Sequence, residues 1–133
     1  SEPVLKLPKF DREFILQTDA SDKSIGATLL QEYDGMKHPV GFASKKLLPR
    51  ERNYTVGERE CLAVIWGVQK YQRYLYGRHF VLETDHKPLE CLNSNHSQNQ
   101  RITRWSLSLA PYRFTVKYIR GGDNVIADYM SRA

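Results

Sequence analysis

The sequence predicts an α/β fold, a five-stranded mixed sheet whose first three strands run antiparallel and whose faces carry helices. Three observations predict it. Three strand-like segments occur in succession, with Asp34-Gly35 supplying a hairpin turn between the second and the third. A long amphipathic segment without proline follows, and another strand-like run comes directly after it. That strand-helix-strand unit places a parallel pair beside the antiparallel meander.

Taken in order, residues 1–12 are broken by proline and charged, which suits a connecting segment, and the folded domain is expected over 13–133. Residues 14–19 form a short, largely apolar run ending in polar residues, as a central strand does. Residues 24–33 and 38–46 read as the next two strands. The segment 56–76 has apolar positions at 61, 64, 65, 68, 71 and 75 and reads as one helix, with Thr55 and Glu58 fitting a capping box and Gly77 a C-terminal stop. A fourth strand is expected over 79–84, a short helix over 88–93, and a polar loop over 93–99. A helix over 100–109 should end at Pro111, and alternation marks a fifth strand over 113–119. Gly121-Gly122-Asp123 turns the chain into a last helix over 125–131, with Asn124 as its N-cap.

Composition bounds the function. The chain has 133 residues, which is the size of one domain rather than of a multidomain machine, and its 41% hydrophobic content is enough for a packed core. No apolar run approaches the roughly 20 residues that span a bilayer, and no charged-then-apolar leader opens the chain, so neither membrane insertion nor secretion is expected. Cys61 and Cys91 lie in apolar stretches without metal-ligand spacing and are expected to be reduced core thiols. A net charge of +5 suits a polyanionic partner, although excess Lys and Arg also serve solubility.

Four acids occupy informative places: Asp19 and Asp85 at the ends of two strands, Glu60 in the long helix and Asp128 in the last one. Sites in α/β sheets form beyond the carboxyl ends of adjacent strands. Glu60 shares a helical row with Val64, Gly67 and Tyr71, whereas Glu58 shares one with Leu62 and Ile65, so the wheel does not choose between them. Clustered carboxylates are stable chiefly when cations neutralise them, and all-oxygen ligation suits Mg²⁺ or Mn²⁺. Taken singly, each acid is equally compatible with a cap or a surface charge.

The motifs that hold these acids resemble a known family. Phe14-Ile-Leu-Gln-Thr-Asp19-Ala-Ser21, Ile25-Gly-Ala-Thr-Leu-Leu-Gln31 and Pro39-Val-Gly-Phe-Ala-Ser-Lys-Lys-Leu47 resemble the opening of the ribonuclease H domain in reverse transcriptases of gypsy-type long-terminal-repeat retrotransposons. Glu58-Arg-Glu60-Cys-Leu-Ala63, Tyr74-Leu-Tyr-Gly77, Thr84-Asp85-His-Lys-Pro-Leu89 and Asn124-Val-Ile-Ala-Asp128-Tyr-Met-Ser-Arg132 continue the likeness in order, over essentially the whole chain. Pro3-Val4-Leu5, Pro8 and Phe10 resemble the segment joining such a domain to the polymerase part.

The resemblance implies an RNase H-like fold and a metal-dependent endonuclease that hydrolyses the RNA strand of RNA–DNA hybrids during reverse transcription. It implies Asp19, Glu60, Asp85 and Asp128 as catalytic residues holding two Mg²⁺ ions, with Mn²⁺ able to substitute, and so it selects Glu60 over Glu58. Its partners would be the hybrid and a covalently adjacent polymerase domain, with the isolated domain monomeric. Its setting would be cytoplasmic virus-like particles, or the nucleus. A module that binds hybrid or props up its neighbour with little cutting is the alternative, and loss of a carboxylate would have pointed there. One departure stands out: residues 119–124 carry no histidine, unlike cellular ribonucleases H, which removes an obvious general acid; His86, beside Asp85, is the candidate substitute.

For the nucleic acid, Lys87, Arg101 and Arg104 are candidate phosphate contacts among a wider basic set that includes Lys45, Lys46, Arg50 and Arg52. Ser21 and Ser24 lie in the turn after Asp19, where backbone and hydroxyl groups can approach the RNA, and Tyr54 is a candidate stacking residue. Trp66 and Trp105 could also stack on nucleotides, but they lie in helices and are expected to pack in or at the edge of the core.

Overall fold

The computed structural model describes residues 4–86, 90–92 and 99–119. Five strands form one sheet in the order β3-β2-β1-β4-β5: β1 (Phe14–Ala20), β2 (Ser24–Tyr33), β3 (Met36–Lys46), β4 (His79–Thr84) and β5 (Arg113–Tyr118). β1 to β3 are antiparallel neighbours, while β1 pairs with β4 and β4 with β5 in parallel. The mixed sheet is thus the one expected from the sequence. Asp34 (φ 55°) and Gly35 (φ 72°) both adopt the left-handed conformation that a two-residue hairpin with the strands' own twist requires, so β3 starts at Met36 rather than at 38.

The helix expected over 56–76 is divided. α1 (Val56–Lys70) stops at Tyr71, whose ψ of 25° breaks the helix, and α2 (Gln72–Leu75) follows. On either side of the bend Tyr71 and Leu75 are both buried in the core, and Tyr74 meets the ring of Phe14 edge-on at 5.7 Å. Gly77 (φ 83°) ends the run as expected. α3 (Gln100–Ser108) begins at Asn99, whose side chain accepts from the backbone N–H groups of Arg101 and Ile102. Between β4 and α3 only a single 3₁₀ turn, Glu90–Leu92, is described where a short helix over 88–93 was expected. The loop 93–98, the turn at 121–123, the Asn124 cap and the helix over 125–131 lie outside the described residues.

The core forms where α1 and α3 cover one face of the sheet, with Phe14, Leu16, Leu29, Val64, Leu82 and Ile102 buried together. Trp66 and Trp105 are partly buried against it, and Cys61 and Cys91 are buried in it as thiols outside any disulfide, as expected. α1 crosses the sheet at Gly67, where a Cβ would lie 3.0 Å from that of Ala27 and 3.4 Å from Thr18 Cγ2. This close approach holds α1 down on β1 and β2. The segment before β1 is also held, through Lys6 N–H donating to Pro39 O at 2.8 Å and Gln31 Nε2 to Lys9 O at 2.6 Å. No helix of the described residues is long and apolar enough to cross a membrane.

Because Gly67 has no room for a side chain, Gly67→Val should destabilise the fold by about 2 kcal/mol, read as a lower midpoint of urea unfolding. An unchanged midpoint would show that the helix can lift from the sheet without cost.

Candidate metal centre

The parallel register of β1 and β4 decides where the acids meet. Gln17 lies opposite Glu83, so two residues further on Asp19 at the end of β1 and Asp85 just beyond β4 are brought level. On its other side Asp19 pairs with Gly26 of β2, which has no side chain to crowd it. Glu60, in the first half of α1, completes the group, and one carboxylate oxygen from each of Asp19, Glu60 and Asp85 lies within 4.8 Å of the others. Asp19 and Glu60 are buried, each 6% exposed, whereas Asp85 is exposed and forms the mouth.

Electrostatics mark this as an unusual place for three acids. Burial, followed by the nearby charges of Asp19 and Asp85, pushes the Glu60 carboxyl up to about 8, from an ordinary 4.5. Among the described residues its buried Oε2 has no hydrogen-bond partner. An oxygen-only donor set with an orphaned buried carboxylate oxygen fits a hard divalent cation, which would supply the missing partner and the missing charge.

Glu58, the rival on the helical wheel, has a different task. Thr55 N–H donates to Glu58 Oε1 at 2.9 Å and Glu58 N–H to Thr55 Oγ1 at 3.1 Å, the reciprocal capping box expected from the sequence. Its other oxygen accepts from Asn99 Nδ2 at 2.8 Å and Arg101 at 2.6 Å. Burial opposes ionisation of Glu58, but these bonds outweigh it and hold the carboxyl below its usual range. Two neighbouring acids of one helical turn therefore end in opposite protonation regimes.

A family model described as the RNase H-like domain found in reverse transcriptase matches residues 9–112. The chain belongs to this family. It is 39% identical, over 98% of its length, to the retrovirus-related Pol polyprotein from transposon 297 of Drosophila melanogaster, and it spans 12% of that polyprotein. Among solved structures, the foamy viral protease-reverse transcriptase in complex with an RNA/DNA hybrid is similar at a TM-score of 0.68 and 16% identity, over 88% of this chain and 16% of that one. RNase H1 from the halophilic archaeon Halobacterium salinarum is similar at a TM-score of 0.64 and 10% identity, over 91% of this chain and 94% of that one. The chain is thus an RNase H-like domain of the long-terminal-repeat retrotransposon type.

In this RNase H-like domain, the other residues singled out from sequence take different places. Ser21 shapes the turn after Asp19, its Oγ accepting from the N–H groups of Lys23 at 3.2 Å and Ser24 at 3.1 Å. His86, half-buried beside Asp85, donates its backbone N–H to Thr84 Oγ1 at 3.2 Å. Arg101 lies over the ring of Tyr54 at 4.2 Å while paired with Glu58, so it works as a strut between α1 and α3. The ring of Trp105 stands 6.0 Å from that of Tyr54, and Arg104 is exposed on α3. Asp128 and Lys87 lie outside the described residues. Sequence reasoning missed Gln17 and Glu83, whose contact depends on the strand register and left no local signal.

Two outcomes follow. A carboxyl with a raised folded pKa contributes stability fully below its unfolded pKa and loses it as pH rises through the folded one. Chelator-treated protein should therefore lose thermal stability between about pH 4.5 and about 8, and Glu60→Gln should flatten that slope. Parallel slopes for both proteins would contradict the environment described for Glu60. Glu58→Ala should instead cost about 1 kcal/mol in urea unfolding through loss of the cap, with divalent-ion binding retained.

Proposed function

We propose that this domain hydrolyses the RNA strand of RNA–DNA hybrids during reverse transcription, using two Mg²⁺ ions, with Mn²⁺ as a substitute. The observation that carries the reading is the convergence of Asp19, Glu60 and Asp85 within 4.8 Å in a chain of this family. The similar foamy viral protease-reverse transcriptase is bound to an RNA/DNA hybrid, which supports the same substrate class here.

Asp19, Glu60 and Asp85 would hold the ions, and Asp128 is proposed to join them. Bound there, Mg²⁺ supplies the charge that acidifies the attacking water and stabilises the departing ribose oxygen. The chain's own part is positional. Asp19 and Glu60 are fixed in the buried base of the site, and for the ions to bind Glu60 must give up the proton it holds near neutrality. Asp85, at the exposed mouth, would complete the ligand set on the side open to a substrate phosphodiester. Cleavage breaks the bond to the 3′ oxygen and leaves 3′-hydroxyl and 5′-phosphate ends.

Strand choice would come from the 2′-hydroxyl, which the shallow minor groove of an A-like helix displays. The Ser21–Ser24 turn beside Asp19 is proposed to read it, Lys87, Arg104 and His86 to meet phosphates, and Tyr54 and Arg101 to form a shelf at the α1–α3 junction. Sequence readout is not expected from such contacts. The domain is proposed to act as a monomeric segment, with residues 1–12 connecting it to a polymerase domain, inside cytoplasmic virus-like particles or the nucleus.

A labelled hybrid incubated with the domain in Mg²⁺ or Mn²⁺ should be cut in its RNA strand only, and chelation should stop the reaction. Asp85→Asn should lower the rate by at least the roughly 10–100-fold that disturbing a metal site costs. Equal rates for wild type and variant would refute the assignment, and binding of hybrid with no cutting by either would favour a binding module.

A further inference from the structure

On the sheet face turned away from α1 lies another buried carboxylate that the reaction does not use. Glu83 of β4 is 1% exposed, and its side chain is well supplied with donors. Its Oε1 accepts from Gln17 Nε2 at 2.7 Å and from Lys37 Nζ at 2.9 Å, its Oε2 accepts from Lys37 Nζ at 3.0 Å, and Lys117 Nζ stands 3.9 Å from Oε2. Gln17 and Glu83 are partners in the parallel β1–β4 register, each two residues before one of the acids at the strand ends. Side chains two apart on a strand share a face, so the bonded pair is the next layer under Asp19 on the β1 side. The backbone bonds of a parallel pair are slanted, and here the register runs over three residue pairs, from Ile15↔Val81 to Gln17↔Glu83. The side-chain bond therefore adds a cross-link at the end of the register that faces the site.

We propose that Gln17 and Glu83, clamped by Lys37, are positioning residues that set the separation of the Asp19 and Asp85 carboxylates and thereby make the site selective for Mg²⁺ over larger cations. The inference rests on the metal-site reading above. Mg²⁺ demands near-ideal octahedral geometry with ligands about 2.1 Å away, whereas Ca²⁺ accepts looser, more variable oxygen cages. A site whose two strand-borne acids are held at fixed separation favours the smaller ion, and one whose strands can splay loses that preference. Lys37 adds to the hold because it comes from the far side of the β2–β3 hairpin, tying the sheet's edge to its centre. Residues that support metal ligands from behind commonly matter by 10–100-fold in affinity.

The test measures binding, not cleavage: amide-resonance titrations of the 133-residue chain with Mg²⁺ and with Ca²⁺, in wild type, Gln17→Leu and Asp85→Asn. Gln17→Leu should weaken Mg²⁺ about tenfold and Ca²⁺ less than about twofold, whereas general loosening of the fold would weaken both alike. The double variant Gln17→Glu with Glu83→Gln restores the cross-strand bond in the opposite direction and should return the Mg²⁺/Ca²⁺ ratio to within about twofold of wild type. Should Gln17→Leu not fold, Lys37→Met, which leaves the strand pair bonded but unclamped, should still shift the ratio toward Ca²⁺. Equal losses for the two ions, or an unchanged ratio, overturn the positioning role while leaving the metal centre intact. Failure of the wild type to bind either ion, with Asp85→Asn indistinguishable from it, overturns the metal centre itself.

Discussion

The constraint on which the molecule depends is the cost of holding three carboxylates together, two of them out of water. Asp19, Glu60 and Asp85 repel one another and lack bulk solvation, and the rise of the Glu60 carboxyl to about 8 measures that cost at one group. Such an arrangement persists only when the surrounding structure over-determines it. Here three elements do so independently: a strand end, a strand end in parallel register with it, and a helix clamped on the sheet.

Each restraint has its own physical origin. The parallel β1–β4 pair exists because α1 carries the chain back to the other end of the sheet, and a parallel neighbour requires that kind of crossover. α1 reaches the sheet closely because Gly67 offers no Cβ to Ala27 and Thr18. Its start is fixed by the Thr55–Glu58 box, which also sets the helical phase that points Glu60 inward. A cap, a missing side chain and a crossover thus share the work of holding like charges near one another.

Glu58 and Glu60 show how context divides identical chemistry. Glu58 meets donors on every side, from Thr55, Asn99 and Arg101, and is held ionised by them. Glu60 meets acids and a buried wall, and near neutrality it holds its proton until a cation offers a better partner. The basic surplus of the chain is divided in the same manner. Arg101 is committed to Glu58 and Tyr54, and Lys37 to Glu83; each ion pair is neutral, so the +5 balance of the whole chain is carried by the remaining side chains.

Local features determined much of this protein from the sequence alone. The hairpin followed from Asp34-Gly35, the α1 cap from Thr55 and Glu58, and the stop from Gly77, because each depends on the backbone preferences of neighbouring residues. The order of strands and helices followed from periodicity, and the likeness of its motifs to a family singled out Glu60. Tertiary structure decided what lies between distant segments. Periodicity puts Tyr71 and Leu75 on one face of an unbroken helix, whereas the folded chain breaks at Tyr71 and still buries both side chains. The Gln17–Glu83–Lys37 cluster arises because strand register fixes which side chains meet, and register is set by the packing of the whole sheet rather than by any residue in it. The sequence by itself therefore determined which residues stand at the ends of elements, and only the folded sheet decided which of those ends share a site, because no local preference encodes a distance across 66 residues.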